Sequence, residues 1–65
     1  MTTGQKMMQA RLDLKMTRKT LSQITGIHPM TLARYEYGTA EPCLSYAVRI
    51  ADALGITLDY LGRES

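Results

Sequence analysis

The apolar residues of this chain recur every three or four positions, which is the period of an α-helix, and no segment alternates like a strand. Met7, Ala10 and Leu14 follow that spacing, so we predict an amphipathic helix over residues 4–14, with Thr3 as its N-cap. The later periodic segments are bounded by threonine, proline or glycine, which commonly begin or end helices. They predict four further helices, at residues 18–25, 29–37, 44–54 and 58–61.

Single residues mark several helix boundaries in this pattern. Thr17 can cap the second helix with its hydroxyl, and Gly26 can end it in the left-handed conformation that glycine adopts readily. Pro29 suits the first position of the third helix, where the missing N–H costs nothing. We therefore predict an all-α fold, a compact bundle of five short helices in a single domain over residues 1–65, with a helix-turn-helix at 18–37.

The composition narrows the class of protein. Of 65 residues, 45% are hydrophobic and 22% are charged, which is typical of a globular domain. No apolar run approaches the roughly 20 residues that a membrane helix needs. The single cysteine, Cys43, cannot form an internal disulfide, and a chain this short without disulfides suits the reducing cytoplasm.

Charge is distributed unevenly along the chain. Residues 1–37 contain six basic and two acidic side chains, a net charge of +4, whereas residues 38–65 contain two basic and four acidic side chains, a net charge of −2. A basic first half favours an anionic partner, although an ordinary solvated surface explains the charge alone equally well.

The most informative segment is residues 18–37, where two short helices meet at the turn 25–27. A short turn that contains glycine, between two such helices, is typical of the helix-turn-helix unit. Leu21 on the first helix, and Leu32 and Tyr35 on the second, are spaced to bury the inner faces of the pair.

This segment, RKTLSQITGIHPMTLARYEY, resembles the helix-turn-helix of the phage repressor and Cro family, to which the lambda and 434 repressors belong. The resemblance extends over about residues 4–63, since the sequences around the motif are similar to that family as well. They are Ala10-Arg11-Leu12, Arg34 to Gly38, Glu41-Pro42 and the stretch 53–61.

The resemblance implies a five-helix, lambda repressor-like fold whose second motif helix enters the DNA major groove, and dimers that read palindromic half-sites. It implies three residues that contact bases: Pro29, Met30 and Arg34. It implies four residues that contact the DNA backbone: Arg18, His28, Thr31 and Tyr37. It also implies a structural ion pair between Arg11 and Glu36 that joins the first helix to the end of the third.

The sequence departs from the family pattern at residues that the resemblance places against DNA. Pro29 and Met30 cannot donate side-chain hydrogen bonds, so their readout would be apolar, for instance against thymine methyl groups. Arg18 stands where the family usually has glutamine. Thr39 and Ala40 stand where the family often has lysine or arginine, so two phosphate contacts are missing and affinity should be lower.

These observations predict a DNA-binding transcriptional regulator, most simply a repressor that binds double-stranded DNA as a homodimer, occupies an operator and excludes polymerase. The alternative is a protein-interaction module, of antirepressor or antitoxin type, that keeps the scaffold without reading DNA. The residues form no acid–base or nucleophile constellation, so we predict no enzymatic activity, no small-molecule substrate, no membrane partner and no cofactor.

Two residues, His28 and Cys43, have side chains that can bind metals or act in catalysis. His28 at a helix start is more simply a cap or a DNA-facing group than a metal ligand, because Cys43 is its sole soft partner. Cys43 has no base at a useful spacing and is expected at the start of the fourth helix. That helix carries apolar residues on more than one face, including Tyr46 and Ile50, which predicts a weak dimer through residues 41–61.

Overall fold

The computed structural model describes residues 1–63, which form five α-helices and contain no strand. None of these helices is long and apolar enough to cross a lipid bilayer. The helices are α1 (Thr3–Asp13), α2 (Arg18–Thr25), α3 (Pro29–Tyr37), α4 (Leu44–Leu54) and α5 (Leu58–Gly62). The predicted all-α, five-helix fold is confirmed, and the bounds of α2, α3 and α4 match the predicted ones.

The predicted N-cap of α1 was wrong by one residue. Thr2, not Thr3, caps this helix, because its Oγ1 accepts a hydrogen bond from the Gln5 amide at 3.1 Å. The Gln5 side chain in turn accepts from the Thr2 amide at 2.8 Å. This reciprocal capping box pairs two backbone donors that the helix itself cannot satisfy, and it moves the start of α1 to Thr3.

The predicted boundaries of α2 are confirmed, whereas α5 ends at Gly62, one residue beyond the predicted end at residue 61. Thr17 Oγ1 accepts from the Thr20 amide at 3.1 Å, and Thr57 Oγ1 accepts from the Tyr60 amide at 3.0 Å. Gly26 ends α2 at a φ of 75°, in the left-handed region where a Cβ is unfavourable. Each of these capping signals depends only on neighbouring residues, so the sequence alone is enough to predict it.

Side chains from all five helices and from the α2–α3 turn meet in one core. Its members are Met7, Leu21, Ile27, Leu32, Tyr35, Ile50, Ala51, Leu54 and Leu61. Leu14, which the periodicity assigned to the inner face of α1, is instead 52% exposed. The reason is that α1 ends at Asp13 and Leu14 is its C-cap, followed by Lys15 at a φ of 56°, where the chain turns away.

The apolar residues of α4 divide between two faces. Ile50 is fully buried and packs in the core with Ala51 and Leu54, so it is not available to a dimer contact. Leu44 and Val48, one helical turn apart, are 71% and 39% exposed. Helix α4 thus has apolar residues on two faces, as predicted, but those that face outward are Leu44 and Val48 rather than Ile50.

Gly4 allows α1 to approach the end of α3 very closely. A Cβ built on Gly4 would lie 2.3 Å from the carbonyl oxygen of Tyr35 and 2.6 Å from that of Glu36. Both neighbours are backbone atoms, which cannot move aside as the tip of a side chain can. The absence of a side chain at residue 4 thus fixes the spacing between α1 and α3.

Replacing Gly4 with alanine should therefore destabilise the protein, although alanine normally favours a helix over glycine by about 1 kcal/mol. We expect a loss of about 1–3 kcal/mol in the free energy of unfolding, typical of overpacking. Gly62→Ala is the matched control, because nothing lies within 4 Å of a Cβ there. Urea denaturation of both variants measures this, and a Gly4→Ala protein as stable as Gly62→Ala would contradict the close approach.

Candidate nucleic-acid interface

The turn between α2 and α3 is held by one buried hydroxyl and one buried apolar side chain. Thr25 Oγ1 donates to the Leu21 carbonyl at 2.8 Å and accepts from the Ile27 amide at 3.2 Å. Ile27 itself is only 2% exposed. The turn therefore fixes the angle between the two helices through internal contacts, as a helix-turn-helix requires.

The outer face of α3 presents the residues that the sequence assigned to base readout. Met30 is 60% exposed and Arg34 is exposed, while Leu32 is fully buried on the inner face. Met30 and Arg34 are four residues apart and lie one above the other on the helix. Pro29, like Ala33, is half-buried, so this face is apolar apart from the Arg34 guanidinium.

His28 is the N-cap of α3. Its Nδ1 accepts a hydrogen bond from the Met30 amide at 3.1 Å. An accepting Nδ1 carries no proton, so the neutral ring has its hydrogen on Nε2. The exposed His28 thus combines a capping role with a free donor, and the half-buried Thr31 lies in the first turn of the same helix.

Arg11 and Glu36 form the predicted ion pair. Arg11 Nε donates to Glu36 Oε2 at 2.7 Å and Nη2 donates to Oε1 at 3.1 Å, a bidentate arrangement. Arg11 Nη1 also donates to the Met16 carbonyl at 2.8 Å. The Glu36 side chain is completely buried and that of Arg11 is 8% exposed, so the pair joins α1, the α1–α2 loop and α3 within the core.

Arg18 is a second partner of Glu36, which the sequence did not reveal. Its Nε donates to Glu36 Oε1 at 2.9 Å, and its Nη2 donates to the Tyr37 hydroxyl at 2.8 Å. The Glu36 hydrogen bond, with a smaller effect from Tyr37, raises the pKa of Arg18 above its usual value. Two predicted backbone contacts, Arg18 and Tyr37, are thereby brought together.

Lys6 does not contribute to the exposed basic surface, although it counts toward the positive first half of the chain. It is 5% exposed, and its Nζ donates to the carbonyl of Tyr60 at 3.0 Å and to that of Arg63. The ammonium also lies 5.0 Å from the centre of the Tyr60 ring. Lys6 therefore anchors the end of α5 to α1, and no local sequence signal distinguishes it from an exposed lysine.

Residues 1–63 contain no group of three or more His, Cys, Asp or Glu side chains placed to hold a metal ion. Cys43 is the N-cap of α4, as expected, but its side chain makes no capping bond to the helix. The hydrogen bond with Ser45, Sγ to Oγ at 3.3 Å, lowers the pKa of this exposed thiol.

A fixed turn between two short helices, with an exposed face on the second, defines a helix-turn-helix protein. A helix-turn-helix family model matches residues 7–61, so the chain belongs to the helix-turn-helix family. A search of curated proteins gave no match.

A solved structure with the same fold is the P22 c2 repressor, crystallised in complex with the synthetic operator 9T in the presence of Tl+. The two structures superimpose with a TM-score of 0.90, covering 94% of this chain and 92% of that one. At 23% sequence identity, this similarity establishes the lambda repressor-like fold.

Replacing Glu36 with glutamine should leave two arginines without a counter-ion, one of them buried. Breaking such a pair costs about 3–5 kcal/mol of unfolding free energy. The matched control is Asp59→Asn, which removes an exposed carboxylate 2.7 Å from Arg63 Nη2 and should cost less than about 1 kcal/mol. Denaturant unfolding of both variants measures the difference, and equal small losses would show that the buried cluster is not required for stability.

Proposed function

We propose that this chain is a sequence-specific DNA-binding regulator, a repressor that binds a palindromic operator as a homodimer. The observation that carries the proposal is the exposed face of α3, where Met30 and Arg34 lie one turn apart on a helix held by a buried turn and a buried ion pair. A rigid helix with exposed side chains is what major-groove recognition requires. The P22 c2 repressor, which shares the fold, is bound to an operator in its structure.

Arg34 is the proposed base-reading donor. It is exposed, and no other residue on the outer face of α3 between residues 29 and 34 has a long donor side chain. Arginine forms paired hydrogen bonds with guanine O6 and N7. Pro29 and Met30 add apolar contacts, and the Met30 thioether suits the methyl group of a thymine beside that guanine.

Four further residues are proposed to contact phosphates around the groove. His28 has its Nε2–H free to donate, because Nδ1 is used in capping α3. Thr31 lies in the first turn of the same helix, and Arg18 and Tyr37 share a hydrogen bond. These contacts would set the position of α3 on the duplex, while Arg34 supplies base discrimination. Repression would then follow from steric exclusion of polymerase at the operator.

A protein-interaction module is the second candidate, and specific features favour it. The outer face of α3 is largely apolar, and Thr39 and Ala40 supply no cation after α3. Burial of Lys6 and Arg11 further reduces the exposed positive charge. Against it, Lys19 and Arg34 remain exposed on the two motif helices.

Arg34→Ala should weaken binding to a duplex selected from a random library by about 1–3 kcal/mol and relax the preference at one base pair. Binding to a scrambled duplex should change much less. Arg63→Ala is the matched control, because it removes the same charge from an exposed arginine that follows α5 and pairs with Asp59. Fluorescence anisotropy titrations on both duplexes give the comparison.

Equal losses on both duplexes would mean that α3 does not read bases through Arg34. If the wild-type protein binds no duplex at low salt, the protein-interaction candidate replaces the proposed function.

The proposed dimer uses the apolar residues that α4 and α5 leave exposed. Leu44 is 71% exposed and Val48 is 39% exposed on α4, and on α5 Leu58 is 38% and Tyr60 is 46% exposed. The half-buried Ala47 of α4 and the exposed Leu58 of α5 line one shallow groove. Such a patch suits a two-fold contact between identical copies.

Leu44→Asp should shift the protein toward the monomer in sedimentation equilibrium, with and without a palindromic duplex. The new carboxylate lies in the first turn of α4, where it favours the helix, so folding should be retained. Leu12→Lys is the matched control, a charge on a 53% exposed leucine near the end of α1, where a cation is favourable. One wild-type monomer per palindrome at saturation would contradict the dimer.

A further inference from the structure

Arg11, Arg18 and Glu36 form a largely buried charge cluster in which Arg18 has N–H groups that bond nothing else among residues 1–63. Arg11 uses all three of its guanidinium nitrogens inside the protein and is nearly buried. Arg18 uses Nε and Nη2, and its side chain is 31% exposed. Two arginines face one glutamate, so the cluster keeps a net positive charge, and that charge reaches solvent at Arg18.

Tyr37 lies beside that exposed edge. Its ring centre is 5.0 Å from the Arg18 guanidinium carbon, and its hydroxyl oxygen accepts from Arg18 Nη2 at 2.8 Å. An oxygen that accepts from one side directs its own hydrogen elsewhere. No acceptor for that hydrogen is found among residues 1–63, and Tyr37 is 66% exposed. Tyr37 thus presents an oriented, unused donor to solvent.

The Tyr37 donor lies on the outer face of α3, which also carries Met30 and Arg34. Met30, Arg34 and Tyr37 follow the spacing of one helix face, so Tyr37 continues the line of the base-reading residues toward the end of α3. Arg18, at the start of α2, borders the same face through its contact with Tyr37. A group bound between them must accept hydrogen bonds from the free Arg18 donors and from the Tyr37 hydroxyl, and the net positive charge of the cluster favours an anionic acceptor.

We propose that Arg18 is a positioning residue for Tyr37 and that the two hold a single DNA phosphate together. Glu36 fixes the guanidinium through Nε, Nη2 fixes the phenol oxygen, and one phosphate accepts both from the remaining Arg18 donors and from the Tyr37 O–H. This inference rests on the proposed function and deepens it, because it replaces two independent backbone contacts with one coupled phosphate site. Lysine at residue 18 would keep the positive charge, but its single nitrogen could not replace the planar guanidinium whose separate N–H groups bond Glu36 and Tyr37 at the same time.

The test is a double-substitution cycle on binding to a short mixed-sequence duplex at several salt concentrations. Tyr37→Phe should weaken binding about tenfold with an unchanged salt slope, because it removes a hydrogen bond and no charge. Arg18→Lys should cause a similar loss, also with an unchanged slope. The double variant should bind no more weakly than the weaker single variant, because Arg18→Lys already leaves the Tyr37 hydroxyl without orientation and removing that hydroxyl then costs nothing more. If the two contacts were independent, their tenfold losses would multiply to about a hundredfold loss.

Two controls separate positioning from folding and from charge. Gln9→Ala removes an exposed hydrogen-bonding side chain from α1, outside the motif helices and outside the proposed dimer patch, and should not change binding. Arg18→Gln, the residue usual in the family, should lower the salt slope by about one in addition to losing the Tyr37 dependence. If Arg18→Lys proves unstable in thermal unfolding, the cycle is run with Arg18→Gln instead.

Each remaining outcome overturns the proposal in a recognisable way. Multiplicative losses, or no loss from Tyr37→Phe, would reject the coupled site while leaving DNA binding intact. Absence of wild-type binding to any duplex at low salt would reject the proposed function and the phosphate site together.

Discussion

The buried carboxylate of Glu36 is the interaction on which the arrangement of the first three helices depends. It is completely inaccessible to solvent, and it is stable there because Arg11 binds both of its oxygens and Arg18 binds one. Arg11 also holds the Met16 carbonyl in the loop before α2. Since a buried charge without partners is very unfavourable, α1, α2 and α3 must keep the positions that bring these groups together. Gly4 is required for the same reason, because a side chain there would separate α1 from the end of α3.

This constraint also controls the electrostatics of the candidate interface. Glu36 neutralises one of its two arginines, and the burial of Lys6 removes a further cation from the surface. The exposed positive charge is therefore smaller than the first half of the sequence suggests. On the two motif helices it comes from Arg18, Lys19 and Arg34. A few cations in fixed positions favour orientation on DNA over strong non-specific attraction, because each neutralised phosphate adds to sequence-independent affinity.

The parts of this fold that the sequence predicts are those set by neighbouring residues. Thr17, Gly26 and Pro29 act within one helical turn, so α2 and α3 could be placed without any tertiary information. The Arg11–Glu36 pair was found through the family resemblance, since 25 residues separate its members. Contacts outside that pattern were missed, because Lys6 meets carbonyls more than 50 residues away and Arg18 replaces the usual glutamine. The DNA contacts proposed for Pro29, Thr31 and the other residues remain predictions.

Helix α4 shows why periodicity alone does not assign a face. Its apolar residues cover more than one side, and the pattern is the same whether Ile50 or Leu44 points inward. The choice is made by the neighbours: α4 packs against α1, α2 and α5, and only the side bearing Ile50, Ala51 and Leu54 can meet Leu21 and Leu61 in the core. Leu44 and Val48 then lie outside the core and are exposed to solvent. In the proposed dimer, a second copy would cover these residues and the exposed apolar residues of α5. The proposed two-fold pair would also present two α3 helices at once. The exposed apolar residues of α4 and α5 would then contribute to the same DNA-binding function as the outer face of α3.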